Sequence, residues 1–168
     1  VSMSGAPRAV FITGASSGIG AALAQHYAAR GAAVGMVARR AEALAAVASS
    51  LPSPCATYPA DVIDAAAMDA AAADFVARHG APDVVIANAG VSVGTSPEDG
   101  GDIAVLGRVL ATNVVGMAAT FRPFVAPMRA ARRGTLVGIA SVAGFRGVPG
   151  AAAYSASKSA AITWLESV

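Results

Sequence analysis

A tyrosine and a lysine near the end of the chain have the spacing of a proton-transfer pair. Tyr154 and Lys158 stand at positions i and i+4 of a predicted helix, so their side chains share one face. A free tyrosine has a pKa of ~10, too high to exchange protons readily near neutrality. A lysine ammonium a few ångströms away favours the phenolate and lowers that pKa. The pair therefore predicts acid–base chemistry, although Tyr154 in isolation could equally be a half-buried aromatic at a helix start.

Lys158 is the single lysine among the 12 basic residues of a 168-residue chain. All the others are arginines, so a lysine here suggests a role that a guanidinium cannot fill. Lysine carries three rotatable donors on a slim stem, which can serve a phenol and ribose hydroxyls together. Against 10 acidic residues the net charge is only +2, which is too small to predict binding to nucleic acid.

A glycine-rich segment near the N-terminus has the form of a phosphate-binding turn. Thr13–Gly20 reads TGASSGIG and lies between an apolar run and a predicted helix. Such a turn brings the backbone against a phosphate and aims helix N–H groups at it. A tight turn that needs glycine only for packing would look the same in isolation. The candidate cofactor-binding residues of the segment are Gly14, Ser16, Ser17, Gly18, Ile19 and Gly20.

Two arginines follow the second apolar run and bear on which cofactor is bound. A cofactor with a free ribose 2′-hydroxyl would call for Asp or Glu at this point, whereas the sequence has Arg39 and Arg40. An arginine there suits a 2′-phosphate through charge-assisted hydrogen bonds. These residues predict NADP(H) rather than NAD(H), and the alternative is a solvated surface pair.

Further candidate residues follow the next strands. Asp61 and Val62 could hold an adenine, although Asp61 could also cap a helix in competition with Asp64. Small residues then stand where a cofactor would cross the sheet, at Asn88, Ala89 and Gly90. Ser141 follows the fifth strand and on its own could be a cap or turn residue. The recurrence of such residues after successive strands favours a binding site.

Alternating apolar runs and Ala-rich stretches must position these residues. Strands are predicted at Ala9–Ile12, Ala33–Val37, Cys55–Tyr58, Asp83–Ala87 and Gly134–Ala140. Helices are predicted at Ile19–Arg30, Ala41–Ser50, Asp64–His79, Ile103–Ala130 (bent near Pro123 and Pro127) and from Ala152 onward. Continuous apolar strands that alternate with helices predict an α/β fold, a Rossmann-like doubly wound parallel sheet with helices on both faces. Ligands of such sheets bind at the carboxyl ends of the strands, where the candidate residues lie.

The chain resembles the short-chain dehydrogenase/reductase family over all 168 residues. The matching motifs occur in family order: Thr13-Gly14-x-x-x-Gly18-x-Gly20, Asp61-Val62, Asn88-Ala89-Gly90, Asn113, Ser141 and Tyr154-x-x-x-Lys158. The resemblance implies an oxidoreductase that uses NAD(P)(H) on a small carbonyl or alcohol substrate. Arg39 resembles the corresponding residue of the NADP-preferring members.

The same resemblance implies catalytic roles for four residues. Tyr154 would be the general acid in reduction and the general base in oxidation, and Ser141 would hydrogen-bond the substrate oxygen. Lys158 would bind the nicotinamide ribose, and Asn113 would hold a water in a proton relay. A dehydratase or epimerase on the same fold, or a catalytically idle NADP(H)-sensing protein, is the alternative function. The resemblance also implies a homodimer or homotetramer.

The C-terminus departs from the family pattern. Family members continue past the last predicted helix with a strand, a substrate-binding loop and a last strand, none of which follows here before Val168. We therefore expect one dinucleotide-binding domain over 1–168 that lacks its C-terminal strands and leaves the fifth strand as an apolar edge. The corresponding hypothesis is that the natural polypeptide is longer. An active protein with only the intact mass of these 168 residues would contradict it.

Composition excludes several other classes of protein. With 55% hydrophobic and 13% charged residues, the chain is neither disordered nor a coiled coil. The single cysteine, Cys55, excludes a disulfide framework, and no His, Cys or carboxylate cluster has metal-ligand spacing, so no metal is predicted. The sequence has no run of ~18 apolar residues, so we predict no membrane-spanning helix. Since one free cysteine fits a reducing compartment, we expect a cytoplasmic protein.

Overall fold

Five parallel strands form the centre of the molecule. The computed structural model describes residues 7–94, 96, 98 and 100–168. The strands are β1 Ala9–Thr13, β2 Ala33–Ala38, β3 Cys55–Pro59, β4 Val84–Ala87 and β5 Thr135–Gly138. Their order in the sheet is β3-β2-β1-β4-β5, and every pair of neighbours is parallel. The chain therefore reverses its direction of winding between β1 and β4, which is where ligands of such sheets bind.

Helices connect the strands and cover both faces of the sheet. They are α1 Gly18–Ala28, α2 Ala41–Ser49, α3 Ala65–His79, α4 Asp102–Leu110, α5 Gly116–Ala131 and α6 Ala152–Ser167. A five-residue π-helical segment, Ala111–Val115, joins α4 to α5, and a 3₁₀ turn, Val142–Gly144, follows β5.

Alternate residues of the strands build two separate core layers. Phe11 of β1 packs on one face with Phe75 of α3 and Phe124 of α5, at ring-centroid distances of 5.4 and 4.7 Å. Its neighbours Val10 and Ile12 point to the opposite face, towards α1 and α2. All five residues of β1 are buried, as a central strand covered on both faces requires. The predicted doubly wound α/β fold is confirmed.

Two predicted elements differ from the structure. The fifth strand is shorter than Gly134–Ala140, because Gly134 has a φ of 134° and Ile139 uses its carbonyl oxygen to accept from a side chain rather than a strand. The long helix continues through Pro123 and Pro127, which both lie within α5. Its change of helix type lies upstream of the prolines, in the π segment.

The helical stretch Asp102–Ala131 is long and apolar enough, by length and composition alone, to cross a membrane. It is the one such stretch among the described residues. Its inner face supplies Met117, Phe121 and Phe124 to the core layer that covers the sheet. Core helices pass the same test, so this stretch is weak evidence for a membrane span.

Candidate active site

The glycine-rich turn after β1 is packed directly against the segment that follows β4. Gly14 and Gly18 have φ values of 67° and 54°, which favour glycine. A Cβ added at Gly14 would lie 2.9 Å from the Ala89 Cα, and one added at Gly20 would collide with the Gly14 carbonyl oxygen. This close approach therefore requires glycine at positions 14 and 20. The turn does need these glycines for packing, whichever ligand it binds.

Asn88 fastens this turn to the sheet. Its Nδ2 donates to the carbonyl oxygens of Thr13 and Gly14 at 3.0 and 3.3 Å, and its backbone N–H donates to Thr13 Oγ1 at 3.2 Å. The Asn88 side chain thus faces the turn and does not line the cleft described below. Its contribution to cofactor binding would be to hold the turn in shape.

The N-terminus of α1 leaves its backbone donors open. Ser17 precedes the helix without capping it through its side chain, and the first turn holds no acidic residue. A Cβ added at Gly18 would meet nothing within 4 Å, so the outer side of the turn is open space. Ser16 is half-buried here, and Ile19 is exposed. Free helix N–H groups at an open glycine turn fit a phosphate.

A cleft at the carboxyl ends of β1, β2, β3 and β4 brings together seven of the predicted cofactor-binding residues. It is lined by Gly14, Ala38, Arg39, Arg40, Ala60, Asp61, Val62, Ala89, Gly90, Val91 and Thr112. Sequence reasoning did not select Ala38, Ala60 or Thr112 as cofactor-binding residues. Thr112 could have been found, because it directly precedes Asn113 of the family motif.

Asp61 and Asp64 have different roles, which resolves the competition between them. Asp64 is the N-cap of α3, and its Oδ1 accepts from the Ala67 N–H at 3.0 Å. Asp61 Oδ2 instead lies 3.8 Å from Arg39 Nη1, in the cleft. Asp61 is therefore not the cap of this helix, and its carboxylate is available at the site.

Val62 is held in the cleft by the helix behind it. A Cβ added at Gly116 would lie 2.5 Å from Val62 Cγ2. Gly116 is the first residue of α5 and is buried, so Val62 occupies the space that a side chain at 116 would take. The missing side chain of Gly116 thus sets how far Val62 projects towards the cleft.

Asn113 lies in the π segment and binds the loop after β4. Its Oδ1 accepts from the Val91 N–H at 2.8 Å, and its Nδ2 donates to the Val91 carbonyl oxygen at 2.9 Å and to Ser157 Oγ at 2.9 Å. Asn113 is 1% exposed, and both Nδ2 hydrogens are used. A water in a proton relay could therefore be held only by its backbone or by the second lone pair of Oδ1.

Lys158 lies inside the protein although it carries an ammonium group. The residue is 5% exposed, and its Nζ donates to the Ile139 carbonyl oxygen at 2.5 Å. Burial lowers the pKa of this ammonium, because the charged form loses water. One hydrogen bond to Ile139 leaves two of the three Nζ donors for other partners.

Tyr154 and Ser141 complete the predicted catalytic set. Tyr154 is half-buried in the first turn of α6, and Lys158 Nζ lies 5.7 Å from the centroid of its ring. Ser141 precedes the 3₁₀ turn, and its Oγ accepts from the Ala143 N–H at 3.2 Å, so the cap role considered for it is real. Because Oγ acts there as an acceptor, the hydroxyl can still donate to a substrate oxygen. Across the described ranges, no three His, Cys, Asp or Glu side chains gather as a metal site.

Comparison with known proteins identifies the family. The short chain dehydrogenase model matches residues 8–168. The chain belongs to the short-chain dehydrogenase family. An uncharacterized oxidoreductase of Myxococcus xanthus (strain DK1622) is 40% identical over 164 residues, which cover 96% of this chain and 64% of that protein. A family fold thus accounts for nearly the whole of the described chain.

Two further proteins similar to this chain are described with different cofactors. A 2-dehydro-3-deoxy-L-rhamnonate dehydrogenase (NAD(+)) from Sphingomonas sp. (strain SKA58) is 36% identical over 163 residues, which cover 97% of this chain and 65% of that enzyme. The crystal structure of a metagenomic short-chain oxidoreductase in complex with NADP has a TM-score of 0.89 and 34% identity, and the match covers 95% of this chain and 74% of that one. The chain therefore spans about two thirds of the length of these relatives.

Proposed function

We propose that this protein is an NADP(H)-dependent oxidoreductase that interconverts a carbonyl and an alcohol. The observation that carries the proposal is the buried Lys158 ammonium 5.7 Å from the Tyr154 ring, at the same end of the sheet as an open glycine turn. A buried cation costs free energy that folding alone does not need, so this one is best explained by chemistry.

The cofactor would lie across the carboxyl ends of the strands. Backbone N–H groups at Gly18–Gly20 would hold its phosphates, and Asp61 and Val62 would hold the adenine. The backbone of Ala89 and Gly90 would lie beneath it where it crosses the sheet. The bound cofactor supplies the hydride chemistry.

The side chains of the protein would move the proton and orient the substrate. Ser141 donates a hydrogen bond to the substrate oxygen, and Tyr154 gives that oxygen a proton in reduction and removes it in oxidation. Lys158, with two free donors on Nζ, favours the phenolate after proton transfer and binds ribose hydroxyls.

The preference for NADP(H) rests on the charge of the cleft. Arg39 and Arg40 both line it, and the Arg39 side chain is 67% exposed, so its guanidinium can turn from the Asp61 carboxylate, 3.8 Å away, towards a phosphate. Relatives include enzymes named for either cofactor. A 2′-phosphate would gain charge-assisted hydrogen bonds from arginine that a 2′-hydroxyl would not.

The substrate is proposed to be a small uncharged carbonyl or alcohol. The side chains expected around it are small or apolar, namely Val91, Ala143, Gly144, Val148 and Pro149. Side chains of this composition would bind an uncharged substrate through apolar contact.

The proposed function is tested by incubating the full-length protein with NADPH and a panel of ketones and aldehydes. Cofactor absorbance is followed for the wild type and for the variants Tyr154→Phe and Ser141→Ala. We expect oxidation of NADPH by the wild type and a loss of at least ~100-fold in kcat for Tyr154→Phe, the size typical of general acid catalysis. Bound NADPH that no carbonyl oxidises would overturn the oxidoreductase and favour a sensing protein, whereas product formation without net NADPH oxidation would favour a dehydratase or epimerase.

The protein is further proposed to act as a homodimer or homotetramer. Ile103 and Val115 are 78% and 58% exposed on the long helical stretch, which leaves apolar surface for a second copy. Light scattering after size-exclusion chromatography tests this, and a monomer at micromolar concentration would contradict it.

A further inference from the structure

A buried serine that the proposed reaction does not use links the two sides of the candidate active site. Ser157 is 0% exposed and lies in the first turns of α6, between Tyr154 and Lys158. Its hydroxyl bridges two different elements, the backbone of α6 and the π segment. Such a bridge requires the burial of two polar groups, which costs free energy, and it fixes the distance between the two elements.

The hydrogen bonds of Asn113 leave a defined place for this serine. The amide of Asn113 offers two Nδ2 hydrogens, and one of them goes to the Val91 carbonyl oxygen. The other goes to Ser157 Oγ at 2.9 Å, which is its only acceptor among the described residues. Without the Ser157 hydroxyl, a buried Nδ2 hydrogen would lose its partner.

The direction of the bond at Ser157 is also fixed. Its Oγ accepts from Asn113, and its single hydrogen is donated to the Tyr154 carbonyl oxygen at 2.7 Å. A continuous chain of hydrogen bonds therefore runs from Val91 through Asn113 and Ser157 to the backbone of Tyr154. Its members lie on three separate elements.

The chain of bonds ends where the reaction needs a fixed geometry. A Cβ added at Gly90 would lie 3.3 Å from Asn113 Oδ1 and 3.8 Å from Lys158 Nζ, so the segment after β4 and the catalytic helix meet at this point. Movement of α6 away from Val91 would move Tyr154 away from any ligand above Gly90. Catalytic groups that are misplaced by ~1 Å lose much of their effect.

We propose that Ser157 is a positioning residue, which holds the turn that carries Tyr154 against the segment after β4 through Asn113. The catalytic role of Tyr154 in this inference rests on the proposed function. The chain of hydrogen bonds is seen in the structure and does not depend on that function. The proposal assigns to Ser157 an effect on turnover rather than on cofactor affinity.

The first test compares Ser157→Ala with the matched control Thr120→Val. Thr120 is also 0% exposed and donates to a backbone carbonyl oxygen of its own helix, that of Gly116 at 2.7 Å, but it takes no part in the bond chain. For Ser157→Ala we expect kcat to fall ~10-fold or more while the Kd for NADPH changes by less than about twofold. Where cofactor release limits kcat in the wild type, the primary isotope effect with NADPH deuterated at the transferred position should rise, because a misplaced acid makes the chemical step slower.

A purely structural role for Ser157 would give a different pattern. Thr120→Val and Ser157→Ala would then lower the melting temperature alike and leave kcat of the folded protein unchanged. If Ser157→Ala does not fold, Ser157→Cys replaces it, because a thiol keeps the shape and weakens both bonds. An unchanged kcat in a folded Ser157 variant would overturn the proposal.

The second test needs no activity. Hydrogen exchange of the Val91 amide, which donates to Asn113 Oδ1, is measured in the cofactor-free protein. We expect exchange ~10-fold faster or more in Ser157→Ala and unchanged in Thr120→Val, because only the first frees the Asn113 side chain. Unchanged exchange at Val91 would refute the link, whereas faster exchange in a protein that reduces no carbonyl would retain the link and refute only the proposed function.

Discussion

Arg39 and Asp61 form an ion pair across the cleft, with 3.8 Å between Nη1 and Oδ2. The two residues follow different strands and were assigned to different parts of one cofactor, the 2′-phosphate and the adenine. Their proximity is what a single adenosine moiety requires, since its ribose and its base are joined directly. The Asp61 carboxylate is thus a counter-charge beside Arg39 in the cleft.

The first prediction concerns this arginine. Arg39→Gln should weaken NADPH binding by ~10- to 100-fold, the size of one or two lost charge-assisted hydrogen bonds. The Kd for NADH should change by less than about threefold, because a 2′-hydroxyl makes no use of the charge. Fluorescence titration of both cofactors measures this, with the remote, exposed Arg129→Gln as control. Equal or better turnover of the wild type with NADH would refute the NADP assignment.

The second prediction is that Lys158 cannot be replaced by arginine. Lys158→Arg should reduce kcat by at least ~100-fold, because a planar guanidinium fits poorly into a buried site and reaches fewer partners. The side chain lies in a closed site, since Lys158 is 5% exposed and its Nζ donates to the Ile139 carbonyl oxygen. Steady-state kinetics measure the loss. Arg129→Lys should retain turnover within about twofold, and Lys158→Arg with wild-type kcat would contradict the role given to the ammonium.

The third prediction uses two glycines of the long helical stretch. Gly116→Ala should destabilise the fold by ~1–3 kcal/mol, because its Cβ would lie 2.5 Å from Val62 Cγ2. Gly107→Ala, in α4, meets nothing within 4 Å and should stabilise the fold by ~0.5–1 kcal/mol through higher helix propensity. Urea denaturation measures both. The changes in the free energy of unfolding should have opposite signs in the two variants. Equal changes would mean that Val62 can move aside freely.

The fourth prediction concerns the acid side of the stability curve. Tyr58 donates to Asp74 Oδ2 at 2.7 Å, and this bond is the main cause that holds the pKa of Asp74 below its usual value. A carboxylate with a lowered pKa in the folded state stabilises the fold above its unfolded pKa of ~3.9, and the contribution is lost as pH falls through the folded pKa. Tyr58→Phe should therefore raise the pKa of Asp74 and reduce the loss of stability below pH ~4.

NMR titration of the Asp74 carboxyl carbon checks this directly. Arg78→Gln is the comparison, since Arg78 donates to the other oxygen of the same carboxylate at 2.9 Å and lowers its pKa through this bond and through its charge. The pKa of Asp74 should rise in both variants. An unchanged pKa in Tyr58→Phe would contradict the role given to the phenol.

The strands were predictable from the sequence because parallel strands that are buried on both faces are continuous apolar runs, as in Val10–Ile12. The π segment was not predictable, because Asn113 lies in an apolar helix pattern that one irregular turn does not interrupt. The sequence instead predicted a bend near Pro123 and Pro127, yet the helix continues through both. Helix propensity describes single residues, whereas the π turn depends on a partner at Val91 that lies elsewhere in the chain.

The candidate site, like the fold, could be predicted only in part. The residues that follow each strand were predicted, since the topology alone brings them to one edge. The hydrogen-bond partners of half-buried Asn88 and of buried Ser157 were not predicted, because nothing in the sequence shows what these side chains contact. Asn88 was assigned to the cofactor, and its amide is bound to the carbonyl oxygens of Thr13 and Gly14.

The π segment has a further consequence for the phase of the long helix. One extra residue in a turn rotates everything that follows by about 100° about the helix axis. The faces of α4 and α5 are therefore set independently: Ile103 points to solvent, while Phe121 and Phe124 point into the core. Deletion of a single residue within Ala111–Val115 would restore a regular helix and turn those two rings away from the sheet. The π segment thus sets the rotation of α5, which supplies the core layer, relative to α4.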